Sequence, residues 1–291
     1  MNYTIANGEL TVTVSTHGGE LQSVKDSAGR EWLWQADPAF WDEKAPNLFP
    51  YIGRCTDDTY TFEGKPYTMC LHGFLHYSEL ELMLATDNTL SFEYAACPES
   101  RAVYPFEFTY RIQYRLVGRR ITVKYTVLNN GSKAMYFGIG GHPGFQMPLD
   151  EGLDFTDYTL TFNNTEEPRR VVLSPDSKVT DERAPYPLKD GHNLPLRHDL
   201  FDNDAIILRG SGDTVVLHAD KGTHAVTVRY PQMPYIGVWH TKQAAAPFVC
   251  IEPWTALPSR SGVVEDLATH PDLIKLGAHE TYLNEWSIEL Q

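Results

Sequence analysis

Two histidines, one arginine and one glutamate stand out in this sequence because each is set among glycines or aromatic side chains. Arg54 closes "NLFPYIGR" (47–54), His72 lies in "CLHGFLH" (70–76), His142 in "GGHPGFQMP" (140–148) and Glu252 in "CIEPW" (250–254). Together they are the components of a general acid/base site. A carboxylate whose pKa rises on partial burial accepts a proton near neutral pH, and an imidazolium donates one in the same range. Glycines permit backbone angles forbidden to other residues and allow a ligand to approach closely, and Pro143 restricts the chain after His142, so the loop around that ring is suited to aiming it. Each piece alone also has a plainer reading. Arg54 can end a strand on the surface, His72 can be a satisfied core histidine, His142 can face water from a tight turn, and Glu252 can reach solvent from a strand terminus. His72, His142 and Glu252 would also make a two-histidine, one-carboxylate metal set. Their separations of 70 and 110 positions give that alternative none of the support of a compact His-Glu-x-x-His motif.

Side chains so far apart in the chain need a scaffold to bring them together, and the sequence predicts a β-rich one. Period-two alternation with β-branched and aromatic residues runs through 9–15, 60–69, 89–96, 106–116, 120–129, 214–219, 224–231, 235–241, 247–254 and 282–290. Turn signals such as "ANGE", "FEGKPY", "LVGRR" and "NNGSK" separate these runs at hairpin-like distances. Only "DPAFWDE" (37–43) and part of 263–276 offer short helices. The expected fold class is all-β, an antiparallel β-sandwich with few short helices and with loops gathered at one rim. Residues 163–203, interrupted by prolines 168, 175, 185, 187 and 195, are expected to be a long excursion within one domain spanning 1–291.

A chain of 291 residues, 42% hydrophobic and 21% charged, can bury a sizeable core. Its 24 Lys and Arg against 38 Asp and Glu leave a net charge of −14, a field that repels phosphate backbones and anionic headgroups. Neither nucleic acid nor a membrane is an expected partner. No run approaches eighteen apolar residues, and "MNYTIANGELTVTV" has no basic leader or cleavage site, so a cytoplasmic location is expected. Cys55, Cys70, Cys97 and Cys250 form no Cys-x-x-Cys pair and read as reduced, partly buried thiols.

In this order and spread over a β-rich chain, "NLFPYIGR", "LHGFLH", "GGHPGF" and "CIEPW" resemble the aldose 1-epimerase (galactose mutarotase) family, and most of all its LacX-type branch. The likeness runs from the first strands to the C-terminus. It implies a galactose mutarotase-like supersandwich, two large antiparallel sheets with an open sugar cleft over one concave face. It also implies a monosaccharide as the small-molecule partner, no cofactor and no metal; a monomer or homodimer is expected. The resemblance places the catalytic acid on His142, the catalytic base on Glu252, and sugar-binding roles on His72 and Arg54. The family's sugar-binding aspartate falls on Asp204 in "LFDNDAIIL" (200–208), with Asp202 the neighbouring candidate. The reaction so implied is interconversion of the α and β anomers of an aldohexose by ring opening. Acid and base are expected to face one another across a gap about as wide as one monosaccharide. Trp239 and Trp254 could offer flat faces to the ring, although core tryptophans are commoner. Relatives often carry arginine where this chain has His76, an exchange that removes a permanent cation with a bidentate fork. A hexose 6-phosphate mutarotase and a non-catalytic sugar-binding sensor are the alternatives. The first needs a local cationic pocket that the acidic balance does not encourage, and the second has no need for a matched acid and base.

Overall fold

The alternating segments form strands close to where their pattern places them. In the computed structural model, which describes all 291 residues, Arg120–Asn129 and Thr214–Ala219 coincide with the expected runs, and Phe108–Val117 follows its run within two residues at the start. Burial along Phe108–Val117 alternates: Phe108, Tyr110, Ile112, Tyr114 and Leu116 point inward while the residues between them meet solvent to varying degrees. That is the signature of a strand with one packed face. Nine strands make one antiparallel sheet in the order Asn193–Pro195, Tyr158–Phe162, Thr214–Ala219, Val226–Arg229, Thr281–Leu290, Arg120–Asn129, Phe108–Val117, Thr89–Ala95, Glu81–Ala85.

The second sheet carries the site. Its eight strands run Val179–Pro185, Arg169–Leu173, Ile206–Arg209, Tyr235–Trp239, Phe248–Trp254, Gly140–Gly141 and Asn47–Leu48, with Gly144–Gln146 also paired to Phe248–Trp254. A core of 62 buried residues draws on both sheets, Ile112, Tyr125 and Ile288 from the first and Val238, Val249 and Ile251 from the second. Phe248–Trp254 is buried on both faces. Val249 and Ile251 belong to the central core, whereas Phe248, Cys250 and Trp254 pack into two smaller clusters. Because successive side chains alternate, Glu252 shares the face of Cys250 and Trp254, away from the central core.

Residues 163–203 are tied to both sheets rather than free of them. They supply Arg169–Leu173 and the edge strand Val179–Pro185 to one sheet and the edge strand Asn193–Pro195 to the other. Pro185 and Pro195 sit in edge strands, where a missing N–H breaks no interior ladder. The two helix expectations fail. In 37–43 one turn closes through Phe40 and Trp41 N–H to the Asp37 carbonyl, but the Trp41 carbonyl then accepts from the Trp34 indole at 2.9 Å instead of continuing a helix. In 263–276 the backbone is drawn onto a strand edge, with Thr61 N–H donating to Glu265 and Leu267 N–H to Thr61, and Ile274–Leu276 pairs with Met135–Phe137. The single α-helix is Pro98–Val103, with proline at its start.

Candidate active site

Strand register delivers His142 and Glu252 to one point. Gly140 pairs with Trp254 and Gly144 with Cys250. Both pairs lie on one antiparallel alignment, so His142 occupies the position opposite Glu252. The His142 N–H donates to the Pro46 carbonyl at 3.1 Å and the Pro143 carbonyl accepts from Ile251 at 3.2 Å, which anchors the two residues that interrupt the ladder. The glycines here serve close packing and not an unusual backbone, since Gly140, Gly141 and Gly144 all lack positive φ. A Cβ on Gly141 would lie 2.5 Å from the Trp286 ring, and one on Gly140 would lie 2.7 Å from the Pro253 carbonyl oxygen.

His142 Nε2 stands 3.1 Å from Glu252 Oε2, and the two side chains are 9% and 1% exposed. This corrects the expected monosaccharide-wide gap: the two groups touch. His142 Nδ1 and Glu252 Oε1 have no protein partner. Burial pushes the Glu252 carboxyl well above the ordinary carboxylate range, helped by the nearby charge of Asp204. It also pulls the His142 imidazole down to about 3. Both directions have one cause, the penalty on isolated charge away from water, and both favour a pair that holds one proton and no net charge. Such a pair can be carboxylic acid with neutral imidazole, or carboxylate with imidazolium, exchanged by moving one proton along the contact.

His72 is held by its own turn. Its Nδ1 accepts the Gly53 N–H at 3.0 Å, and its backbone N–H donates to the Gly53 carbonyl at 2.9 Å. Burial, with repulsion from His142, His76 and Arg54, keeps the ring neutral by holding its pKa well below the ordinary value. With Nδ1 an acceptor, the ring proton is on Nε2. The turn requires Gly73, whose φ is +81° and whose Cβ would lie 2.2 Å from the Phe49 carbonyl oxygen. The His72 ring meets His142 edge-on at 5.4 Å.

Arg54, His72, His142, Asp204 and Glu252 all line one cleft of about 360 Å³, a size typical of small-molecule sites. Arg54 is exposed. Asp204 sits in a left-handed turn at φ +78°, with Oδ1 accepting the Ala205 N–H at 2.8 Å and Oδ2 accepting from the Ser177 hydroxyl. Asp202 is exposed and lies outside the cleft lining. Trp239 and Trp254 both line the cleft, Trp239 edge-on to His142 at 5.6 Å.

Sequence reading missed Trp41, Glu43, Ser177, Thr241 and Lys242 in this lining. Trp41, 5.0 Å from the His142 ring, and Glu43 come from the segment expected as a helix, whose aromatic and acidic residues were the only signal. Burial and the neighbouring Glu20 raise Glu43 to about 7. His76 is buried, with its pKa lowered to about 4 by burial, and its Nε2 lies 3.8 Å from Glu43 Oε1. It is absent from the lining and reaches the cleft through Glu43. The metal set of His72, His142 and Glu252 is not the one whose ligand atoms converge. Cys250 takes its place: ligand atoms of His142, Cys250 and Glu252 lie within 4.8 Å of one another.

Residues 1–284 match the family model of aldose 1-epimerase. The chromosomal protein LacX of Lactococcus lactis subsp. lactis is 32% identical over 100% of this chain and 99% of its own length. A solved galactose mutarotase related enzyme from Lactobacillus acidophilus is 33% identical, with a TM-score of 0.94 over 100% of this chain and 97% of that one. A galactose mutarotase-like protein from Lactobacillus casei is 31% identical, with a TM-score of 0.95 over the full length of both. The chain belongs to the aldose 1-epimerase family, and its fold is the galactose mutarotase-like one. No helix is long and apolar enough to cross a membrane.

Proposed function

We propose that this member of the aldose 1-epimerase family interconverts the α and β anomers of an aldohexose, with Glu252 as general base and His142 as general acid. The observation that carries this reading is the 3.1 Å contact between the two groups on the lining of an open cleft. Anomer exchange removes the proton from O1 and adds one to the ring oxygen. Those two oxygens are bonded to the same carbon, so the groups that serve them must be neighbours and not opposite walls. A hemiacetal settling over the pair substitutes its ring oxygen for the carboxylate at the imidazolium N–H and offers its O1–H to the carboxylate.

Ring opening then turns carboxylate and imidazolium into carboxylic acid and neutral imidazole, beside an open-chain aldehyde. Rotation about the C1–C2 bond exposes the other carbonyl face, and closure with reversed roles restores the first state. The buried pair keeps one proton and no net charge in every state, which avoids stranding a charge away from water. His72 offers its Nε2–H to a sugar hydroxyl, with Arg54 and Asp204 as further hydroxyl ligands. Gly237, opposite Glu252 in register, adds no side chain to the space over the carboxyl. This chemistry calls for no cofactor.

A hexose 6-phosphate is the second reading, favoured by Arg54 and Lys242 on the same lining. Asp57 and Asp58 in the adjoining groove oppose it, while Asp176 there is paired with Lys178. Relaxation of freshly dissolved α-galactose, α-glucose and glucose 6-phosphate, followed by polarimetry or NMR, tests the whole. The expected result is accelerated exchange of the free sugars. Saturable sugar binding without acceleration would overturn the enzyme reading in favour of a sensor.

A further inference from the structure

We propose that the floor of the cleft, where His142 and Glu252 line the open space and Cys250 is fully buried outside the lining, is also a binding site for a borderline-soft divalent cation of the zinc type, held by these three residues. Cys250 and Glu252 are two apart on one strand and therefore share a face, while His142 stands across the ladder from Glu252. All three are buried, and their ligand atoms lie within 4.8 Å of one another. A tetrahedral zinc with bonds of about 2.0–2.3 Å holds its ligand atoms about 3.3–3.6 Å apart, so side-chain rotations that close the widest separation by about 1 Å bring the three onto one ion. Glu252 Oε1 and His142 Nδ1 are buried without a protein partner, and Glu252 is 1% exposed. Such unspent capacity at a polar side chain marks a place built to meet something.

The donor set chooses the ion. One nitrogen, one sulfur and one oxygen suit zinc and its neighbours, whereas magnesium and calcium require oxygen donors. Charge also balances. Binding releases one proton from the thiol and one from the His142–Glu252 pair, and thiolate plus carboxylate then cancel the two positive charges of the ion. The buried site is neutral before and after. Three protein ligands leave the fourth tetrahedral position open toward the cleft. Because the ion takes both groups assigned to proton transfer, it acts as an inhibitor that competes with sugar.

The test uses the full chain and Zn²⁺, Co²⁺ and Mg²⁺ added singly. Zn²⁺ affinity is read by competition with a chromogenic chelator and Co²⁺ binding by a thiolate-to-cobalt charge-transfer absorption, so both readouts stand even if the proposed reaction does not. Partners that only hydrogen-bond to metal ligands change affinity about 10–100-fold; removal of a direct ligand in Cys250→Ala should weaken Zn²⁺ binding by about 100-fold or more and abolish the absorption. Cys250→Ala is expected to keep the basal anomer exchange while losing its sensitivity to Zn²⁺. Equal Zn²⁺ affinity in wild type and Cys250→Ala, or a Co²⁺ complex without the sulfur band, would overturn the site. Cys250→Ser, closer in volume, guards against a packing artefact and must show the same loss.

Discussion

Glu252→Gln isolates the proposed base with little disturbance of shape. The side chain is 1% exposed and its carboxyl lies 3.1 Å from His142 Nε2; an amide of the same size keeps a hydrogen-bond partner for that nitrogen. What it cannot do is take the O1 proton at neutral pH. The loss is that of one proton-transfer partner, about 10²–10⁴-fold in kcat, which corresponds to about 2.7–5.5 kcal/mol of barrier. Sugar affinity should change little, because His72, Arg54 and Asp204 are untouched. Stability should hold or rise slightly, since the carboxyl that burial penalises is gone. The assay is NMR exchange spectroscopy on an equilibrated sugar, which reads the rate in both directions, beside thermal unfolding. A shift of Tm within about 2–4 °C, the equivalent of about 1 kcal/mol in a chain of this size, marks a folded variant. A folded Glu252→Gln that exchanges anomers at the wild-type rate refutes Glu252 as base.

Two further outcomes follow from the same structure. His142 has its pKa depressed to about 3 and Glu252 has its own raised, so the pair gains a second proton only as pH falls toward 3 and loses its last only well above the ordinary carboxylate range. In Glu43→Gln, which removes the lining carboxyl raised to about 7, the pH profile of kcat/KM should therefore show no acid limb at 6.5, the ordinary imidazole value; an acid limb centred there would contradict the shared-proton pair. Two glycines of nearly equal positive φ separate backbone strain from crowding. Gly73→Ala, at φ +81° with a Cβ 2.2 Å from a carbonyl oxygen, should destabilise by about 3 kcal/mol or more, whereas Gly152→Ala, at φ +82° with nothing within 4 Å, should lose only about 1 kcal/mol. Equal losses in a denaturant titration would show that the turn at Gly73 relaxes freely.

The long strands were legible because a half-buried sheet imposes its alternation on ten residues at a time, as in Arg120–Asn129. Much of what carries the site was not. Asn47–Leu48, Gly140–Gly141 and Gly144–Gln146 are two or three residues long, too short to show any period. Asn47 illustrates what holds them: its amide nitrogen donates to the Gly18 and Gly19 carbonyls and to Tyr114, and its oxygen accepts from Tyr125. Those partners lie up to 78 positions away. The helix Pro98–Val103 did leave a signal that went unread, with Pro98 at the first turn and Ser100 accepting the Cys97 N–H at 3.0 Å.

The meeting of His142 and Glu252 depends on register, and period-two patterning fixes only parity. Even parity is hidden in Phe248–Trp254, because all seven residues are buried and no polar face betrays the alternation. The glycines around His142 were conspicuous in the sequence, yet their physical role differs from aiming a ring through unusual backbone angles. A slip of one residue would turn His142 toward the side of Val249 and Ile251, into the apolar core. It would also bring a side chain to a place where a Cβ meets the Trp286 ring at 2.5 Å or the Pro253 carbonyl at 2.7 Å. Only the observed alignment sets glycines at both of those contacts. The residues that look like flexibility in the sequence therefore act as a register lock, and the lock keeps an acid and a base within one hydrogen bond of each other.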